Sequence, residues 1–198
     1  MKKTTMFTAL TAGVATAALA AGPAGAHTFE AAHGGFQYGF LHPFGGLDHV
    51  LVMVAVGLWA AHLGGRARWM VPGSFLAVTG LAGTAAMAGL SVPFTETGIA
   101  LSVFVAGALV WARVRLPVAI GMALVGGFAL FHGAAHGLAA PAADATYGLG
   151  FLAATALLHG AGLGLGRVLS DGSGGLSPAT ARAAGGAMVA AGLVFLAV

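Results

Sequence analysis

The fold of this chain is decided by residues 42–63, HPFGGLDHVLVMVAVGLWAAHL. From Val50 to Ala61 the stretch contains only apolar residues and glycine, as expected for a helix that crosses a membrane. Its beginning combines a proline and two glycines with three ionisable side chains, which favours a broken or unwound helix entry. We therefore predict a membrane helix whose start is interrupted near Pro43–Gly46.

The composition of the whole chain is that of a membrane protein. Of its 198 residues, 59% are hydrophobic and only 7% are charged, whereas about a quarter of the residues in a soluble domain are charged. The 34 glycines suit helix packing in lipid, where small residues allow backbones to approach closely. Of six apolar runs, all but the short third and last come close to the roughly 20 residues that a bilayer requires. The six runs cover residues 45–63, 69–90, 97–112, 116–134, 147–166 and 183–198.

The predicted fold class is therefore an all-α membrane protein. Residues 27–198 are expected to form one bundle of about six transmembrane helices. The last run is short, and it gains length if its helix begins nearer Ser177.

The first 26 residues have the pattern of a cleaved signal peptide. A basic start at Lys2 and Lys3 precedes an apolar stretch, and Ala24-Gly25-Ala26 forms an A-x-A cleavage site. An uncleaved transmembrane helix is the alternative. Cleavage would make His27 the N-terminal residue, whose α-amine and imidazole can chelate a metal ion together, although any residue after a signal peptide becomes a terminus.

The arginines predict an orientation. If the mature N-terminus lies outside, all arginines fall in inner loops, as the positive-inside rule requires. These arginines are Arg66, Arg68, Arg113, Arg115, Arg167 and Arg182. We expect a multi-pass protein of the bacterial inner membrane, with the mature N-terminus in the periplasm and the arginine-bearing loops in the cytoplasm.

Ionisable residues inside the apolar runs carry most of the functional information, because such groups are costly in lipid and usually line a pathway. His42, Asp48 and His49 lie at the outer start of the first span, whereas His132 and His136 lie at the outer end of the fourth. The last two are four residues apart, so on a helix they share one face at about 6 Å. These five residues are the predicted metal site.

Two roles in this region stay open. Asp48 either neutralises part of the charge of the cation or hydrogen-bonds an imidazole and fixes its tautomer. His159, halfway along the fifth run, is either a second ion station or proton carrier, or a histidine hydrogen-bonded to a neighbouring helix.

The remaining composition restricts the chemistry. Cysteine is absent, which excludes thiolate metal sites. Imidazole with carboxylate suits nickel, cobalt, zinc or copper(II) and does not distinguish among them.

The eight lysines and arginines form no basic patch, so nucleic acid is not expected as a partner. The chain has no phosphate-binding G-x-x-x-x-G-K-[ST] motif and hence no ATPase motif. The expected partners are the lipid bilayer and a metal ion, and a homo-oligomer stays open.

Residues 42–57, HPFGGLDHVLVMVAVG, resemble the signature of the HupE/UreJ family of membrane proteins, which is associated with hydrogenase and urease gene clusters. The resemblance extends to residues 131–137, FHGAAHG, to Ala154-Thr155 and to Leu158-His159. With the layout of a signal peptide and six spans, it covers essentially the whole mature chain.

The resemblance implies a permease for nickel, or sometimes cobalt, that supplies a metalloenzyme. The ion is then a transported substrate, with no tightly bound cofactor and no enzymatic activity. His42, Asp48 and His49 correspond to the first motif, and His132 and His136 to the second. Family members usually place a glutamate shortly after the second motif histidine, where this chain reads Leu138-Ala139-Ala140-Pro141, and this difference bears on affinity or metal preference.

Two alternatives from other classes remain. In an intramembrane zinc hydrolase, three imidazoles would hold Zn²⁺ and Asp48 would act as general base for a bound water. In an accessory or sensor protein, the same residues would bind nickel without transporting it.

Overall fold

The structure is a computed structural model that describes residues 35–140, 144–169 and 177–198. Within these ranges the chain forms helices joined by short turns and contains no strand. The helices are α1 Phe36–Leu41, a 3-10 turn His42–Gly45, α2 Leu47–Leu63, α3 Ala67–Met87, α4 Thr95–Trp111, α5 Val118–Ala139, α6 Ala145–Val168 and α7 Pro178–Ala197. The predicted signal peptide and the proposed chelator His27 lie outside the described residues.

The helix lengths confirm an all-α membrane protein. Helices α3, α5, α6 and α7 are each long and apolar enough to cross a membrane alone. The α1 segment with its 3-10 turn and α2 pass the same test together as a bent pair. Helix α4 is apolar but has only 17 residues. The described part of the chain thus has four to five spans by length, and all six predicted runs are helical.

The predicted break in the first span is confirmed. Pro43 lies in the 3-10 turn, and Gly46 has an extended backbone with φ −116° and ψ 120° before α2 begins. Proline has no N–H to continue a helical ladder, and the extended glycine ends the helical path. The two segments meet at 90°, so α1 turns across the end of α6, against which it packs.

Helix α2 occupies the centre of the bundle. It contacts α3, α4, α6 and α7, and Val52 and Met53 are fully buried. Gly57 and Gly162 let α2 and α6 approach closely, because a Cβ on either glycine would collide with the backbone of the other helix. This contact fixes the rotation of α6 and directs His159 inward.

The bundle has two chemically distinct ends. The histidine end consists of the starts of α2, α4 and α6 and the ends of α3 and α5. The opposite, arginine end carries all arginines of the described ranges. They are Arg66, Arg68, Arg113, Arg115, Arg167 and Arg182. At the arginine end, the His62 imidazole donates from Nε2 to the Arg113 carbonyl at 3.0 Å, which ties α2 to the turn after α4.

Candidate metal centre

Three imidazoles converge at the histidine end. His49 comes from α2, and His132 and His136 come from consecutive turns of α5. One ring nitrogen from each lies within 4.8 Å of the others, and all three side chains are buried. Metal–imidazole bonds of about 2.1 Å allow two nitrogens on one ion to be no more than about 4.2 Å apart. A small inward movement of the rings would therefore close the site around an ion.

The local sequence of α5 explains why its two histidines face α2. Each is followed by a glycine, and Gly133 and Gly137 pack against the backbone of α3 so closely that an added Cβ would collide with carbonyl oxygens there. Because residues four apart share a helix face, the two glycines form one face and the two histidines form the adjacent one. The contact with α3 thereby fixes the rotation of α5 and the direction of both imidazoles.

Asp48 is the hydrogen-bond partner of His49. Its Oδ1 lies 2.7 Å from Nδ1 of the imidazole and 2.8 Å from the His49 backbone nitrogen. A carboxylate only accepts, so the ring donates its Nδ1–H and leaves Nε2 with a lone pair. That nitrogen has no hydrogen-bond partner in the described part of the chain. Of the two roles that the sequence leaves open, this geometry favours the one that fixes the tautomer.

His132 has a partner that sequence reasoning missed, Ser102 on α4. The serine hydroxyl lies 3.0 Å from Nε2 of His132 and donates to the Ile99 carbonyl at 2.6 Å. Both the serine and the histidine are fully buried. The sequence signal was faint, since Ser102 is one of two hydroxyl residues, with Thr97, in the apolar run 97–112.

His136 lies at the middle of a ring cluster. Its centroid is 4.5 Å from that of His49, 4.8 Å from that of His42 and 3.9 Å from that of Phe151. Neither of its ring nitrogens has a hydrogen-bond partner among the described residues. His136 is therefore free to use either nitrogen toward a ligand.

His42 lies beside the three-imidazole cluster rather than within it. The sequence groups His42 with the other four residues of the predicted site. Its ring meets His136 edge-on and also contacts Tyr147, with a centroid separation of 5.7 Å. It is only partly buried, so it stands between the cluster and the surface at this end.

His159 lies deeper in the bundle, on the other side of an aromatic ring. The Phe75 ring is 5.5 Å from the His132 ring and 5.0 Å from the His159 ring. His159 donates Nδ1–H to the Thr155 carbonyl of its own helix at 2.7 Å. Its Nε2 is buried without a partner within the described ranges. The hydrogen bond to a neighbouring helix that the sequence left open is thus replaced by one within α6.

The charge of the cluster suits a cation. Metal ligation requires neutral imidazoles, and the buried Asp48 is then the one negative charge among the five predicted residues. A buried charge needs a partner of opposite sign, and the arginines of the described chain lie at the other end of the bundle. A divalent ion would supply the compensating positive charge.

Comparisons with known proteins cover both histidine motifs. The family model described as "HupE / UreJ protein" matches residues 14–195. A curated relative from Rhizobium leguminosarum bv. viciae, Protein HupE, is 45% identical over 127 residues, covering 64% of this chain and 66% of the relative. The match thus spans just under two thirds of that relative. No solved structure gave a significant match.

Proposed function

This chain belongs to the HupE/UreJ family, and from that membership and the imidazole cluster we propose that it carries a divalent transition metal ion inward across the bacterial inner membrane. Ni²⁺ is the proposed substrate, with Co²⁺ as the second candidate. The ion would supply a metalloenzyme such as hydrogenase or urease. Family membership supports a metal transporter rather than an enzyme.

The observation that carries this proposal is the convergence of three buried imidazole nitrogens within 4.8 Å of one another. Buried polar groups are normally hydrogen-bonded, and imidazole is a preferred ligand of nickel, cobalt, zinc and copper. Unpartnered imidazole nitrogens from two helices, meeting at one point, are the arrangement that a metal ion satisfies.

The proposed roles follow from position. His49, His132 and His136 bind the ion, and Asp48 orients His49 and offsets part of the charge. His42, partly exposed and in contact with His136, receives the ion from the outside and passes it to the cluster.

Beyond the cluster, His159 is the proposed second station. Phe75 contacts both His132 and His159, so an ion moving inward would pass this ring. The unpartnered Nε2 of His159 then offers the next imidazole ligand.

For inward transport, we place the histidine end of the bundle at the periplasm and the arginine end at the cytoplasm, as the positive-inside rule favours. His27, freed by signal cleavage, would add a chelating group on the periplasmic side.

The hydrolase alternative receives less support from the site. A general base must be able to reach a metal-bound water, whereas Asp48 Oδ1 is engaged by both the ring and the backbone of His49. An accessory protein that binds nickel without transport differs from the proposal only in uptake, so uptake is the measurement that separates them.

The proposal is tested by nickel accumulation in a host that lacks its own nickel transport. We expect the wild-type chain to restore accumulation and His49→Gln to abolish most of it, because glutamine removes the imidazole ligand. His62→Gln is the matched control, since it also changes a buried histidine, lies at the arginine end and keeps a donor for the Arg113 carbonyl. Equal accumulation by both variants, at equal membrane expression, would refute the proposed site.

A further inference from the structure

We propose that Ser102 is a positioning residue of the metal site. It holds His132 in the form that carries its proton on Nε2, so that Nδ1 faces the ion. The inference rests on the proposed function and adds to the site a residue from α4, a helix that contributes none of the predicted ligands.

The direction of the two hydrogen bonds at Ser102 identifies the tautomer. A serine hydroxyl has one proton to donate. The Ile99 carbonyl, 2.6 Å from the hydroxyl oxygen, can only accept, so the serine proton is used there. The contact of 3.0 Å to His132 Nε2 then requires the imidazole to donate. His132 consequently keeps its lone pair on Nδ1, which has no partner in the described part of the chain.

Burial prevents the His132 ring from leaving this tautomer and orientation easily. Ser102 and His132 are both at 0% exposure, so water does not replace the serine if the imidazole rotates or changes tautomer. Such a change would leave a buried N–H without an acceptor, which is unfavourable. The ring is thereby held in one orientation before an ion arrives.

The cluster thus contains two imidazoles fixed in opposite senses. Asp48 accepts from Nδ1 of His49 and leaves Nε2 for the ion, whereas Ser102 accepts from Nε2 of His132 and leaves Nδ1. His136 has no comparable partner among the described residues and adapts to the other two. The ion would therefore meet two kinds of ring nitrogen, Nε2 of His49 and Nδ1 of His132.

The first experiment reads the tautomer directly in the metal-free protein. Nitrogen-15 labelled histidine NMR shows which ring nitrogen carries the proton, and the His132 signals are assigned by their loss in His132→Gln. We expect the proton on Nε2. A proton on Nδ1 in the folded protein would overturn the inference, whatever the protein transports.

The second experiment is a double-mutant cycle on Ni²⁺ affinity of the purified protein. Changes in hydrogen-bond partners of metal ligands typically cost about 10- to 100-fold in affinity, and we expect this loss for Ser102→Ala. In the His132→Ala background the same change should have no further effect, because Ser102 acts through His132. Ser74→Ala is the matched control: Ser74 also donates to the carbonyl three residues earlier, at 2.7 Å, but its other hydrogen bond is to the Met122 carbonyl rather than to a histidine.

The outcomes separate this inference from the proposed function. Tight binding by Ser102→Ala, or an equal loss in both backgrounds, contradicts the positioning role while leaving the metal site intact. A wild-type protein that binds and transports no Ni²⁺ refutes the proposed function, but the NMR measurement still decides the tautomer.

Discussion

Asp48 and His49 are neighbours in sequence, and one carboxylate oxygen accepts two hydrogen bonds from the histidine, from its ring at 2.7 Å and from its backbone at 2.8 Å. Consecutive side chains on a helix diverge by about 100°, so this pairing is not what helix geometry alone would give. It arises because α2 begins at Leu47, where the backbone N–H groups lack helical acceptors. The carboxylate accepts from one of these N–H groups, that of His49, and also from the His49 imidazole.

Replacing Asp48 tests how much of its contribution is charge. Asp48→Asn keeps an oxygen that can accept from His49, whereas Asp48→Ala removes both acceptor and charge. Loss of such a partner typically weakens metal binding by about 10- to 100-fold. We expect both variants to bind Ni²⁺ more weakly, with Asp48→Ala the weaker of the two, as measured by titration of the purified protein. Wild-type affinity in Asp48→Ala would show that the carboxylate does not serve the site.

The glycine pair before α2 offers a matched test of the same hydrogen bond. A Cβ on Gly46 would lie 2.6 Å from Asp48 Oδ1 and 2.9 Å from His49 Nδ1, whereas one on Gly45 would meet nothing within 4 Å. Gly46→Ala should therefore displace the pair and lower Ni²⁺ affinity and uptake together. Gly45→Ala should leave both near the wild-type values. Equal behaviour of the two variants would argue against a function for the Asp48–His49 geometry.

His159 is expected to affect passage more than capture. Its ring lies beyond Phe75 from the cluster, so His159→Ala leaves the three converging imidazoles in place. We predict near-normal equilibrium binding of Ni²⁺ and a lower maximal uptake rate in cells. Measuring both Ni²⁺ binding and uptake on His159→Ala provides the control, because a misfolded variant would lose binding as well. Normal uptake would remove His159 from the pathway, and lost binding would place it in the main site.

The packing of α5 on α3 predicts a difference in stability between two glycines of one helix. A Cβ on Gly137 would collide with the backbone of Gly83, whereas one on Gly127 would meet nothing within 4 Å. Overpacking typically costs about 1–3 kcal/mol, so Gly137→Ala should lower the thermal unfolding temperature in detergent. Gly127→Ala should match or exceed the wild type, because alanine favours a helix. Similar unfolding temperatures for both variants would contradict the close contact.

Much of the fold could be predicted from composition and local pattern. The apolar runs locate all six long helices. The break near Pro43–Gly46 follows from a proline that cannot donate a helical hydrogen bond and from glycines, which are unfavourable inside a helix. The boundaries differ where polar and small residues continue a helix. Helix α5 extends past residue 134 to Ala139 and thereby keeps His136 helical. The last helix begins at Pro178, capped by Ser177, and so gains the length that the sequence allowed for.

The site was less predictable because contacts between helices depend on helix rotation. The spacing of His132 and His136 predicts a shared face, but not which residues that face meets. Ser102 and Phe75 lie in apolar runs and enter the site only through the packing of α4 and α3. The contact of His42 with His136 likewise depends on the 90° bend, an angle that the sequence does not give.

The most direct test of the central claim is uptake of radioactive Ni²⁺ by purified protein in lipid vesicles, with His132→Gln and protein-free vesicles measured alongside. We predict saturable uptake by the wild type and near-background uptake by the variant, because one of three converging ligands is removed. Wild-type uptake no faster than that of protein-free vesicles, or undiminished uptake by His132→Gln, would contradict the claim that ions cross through this imidazole cluster.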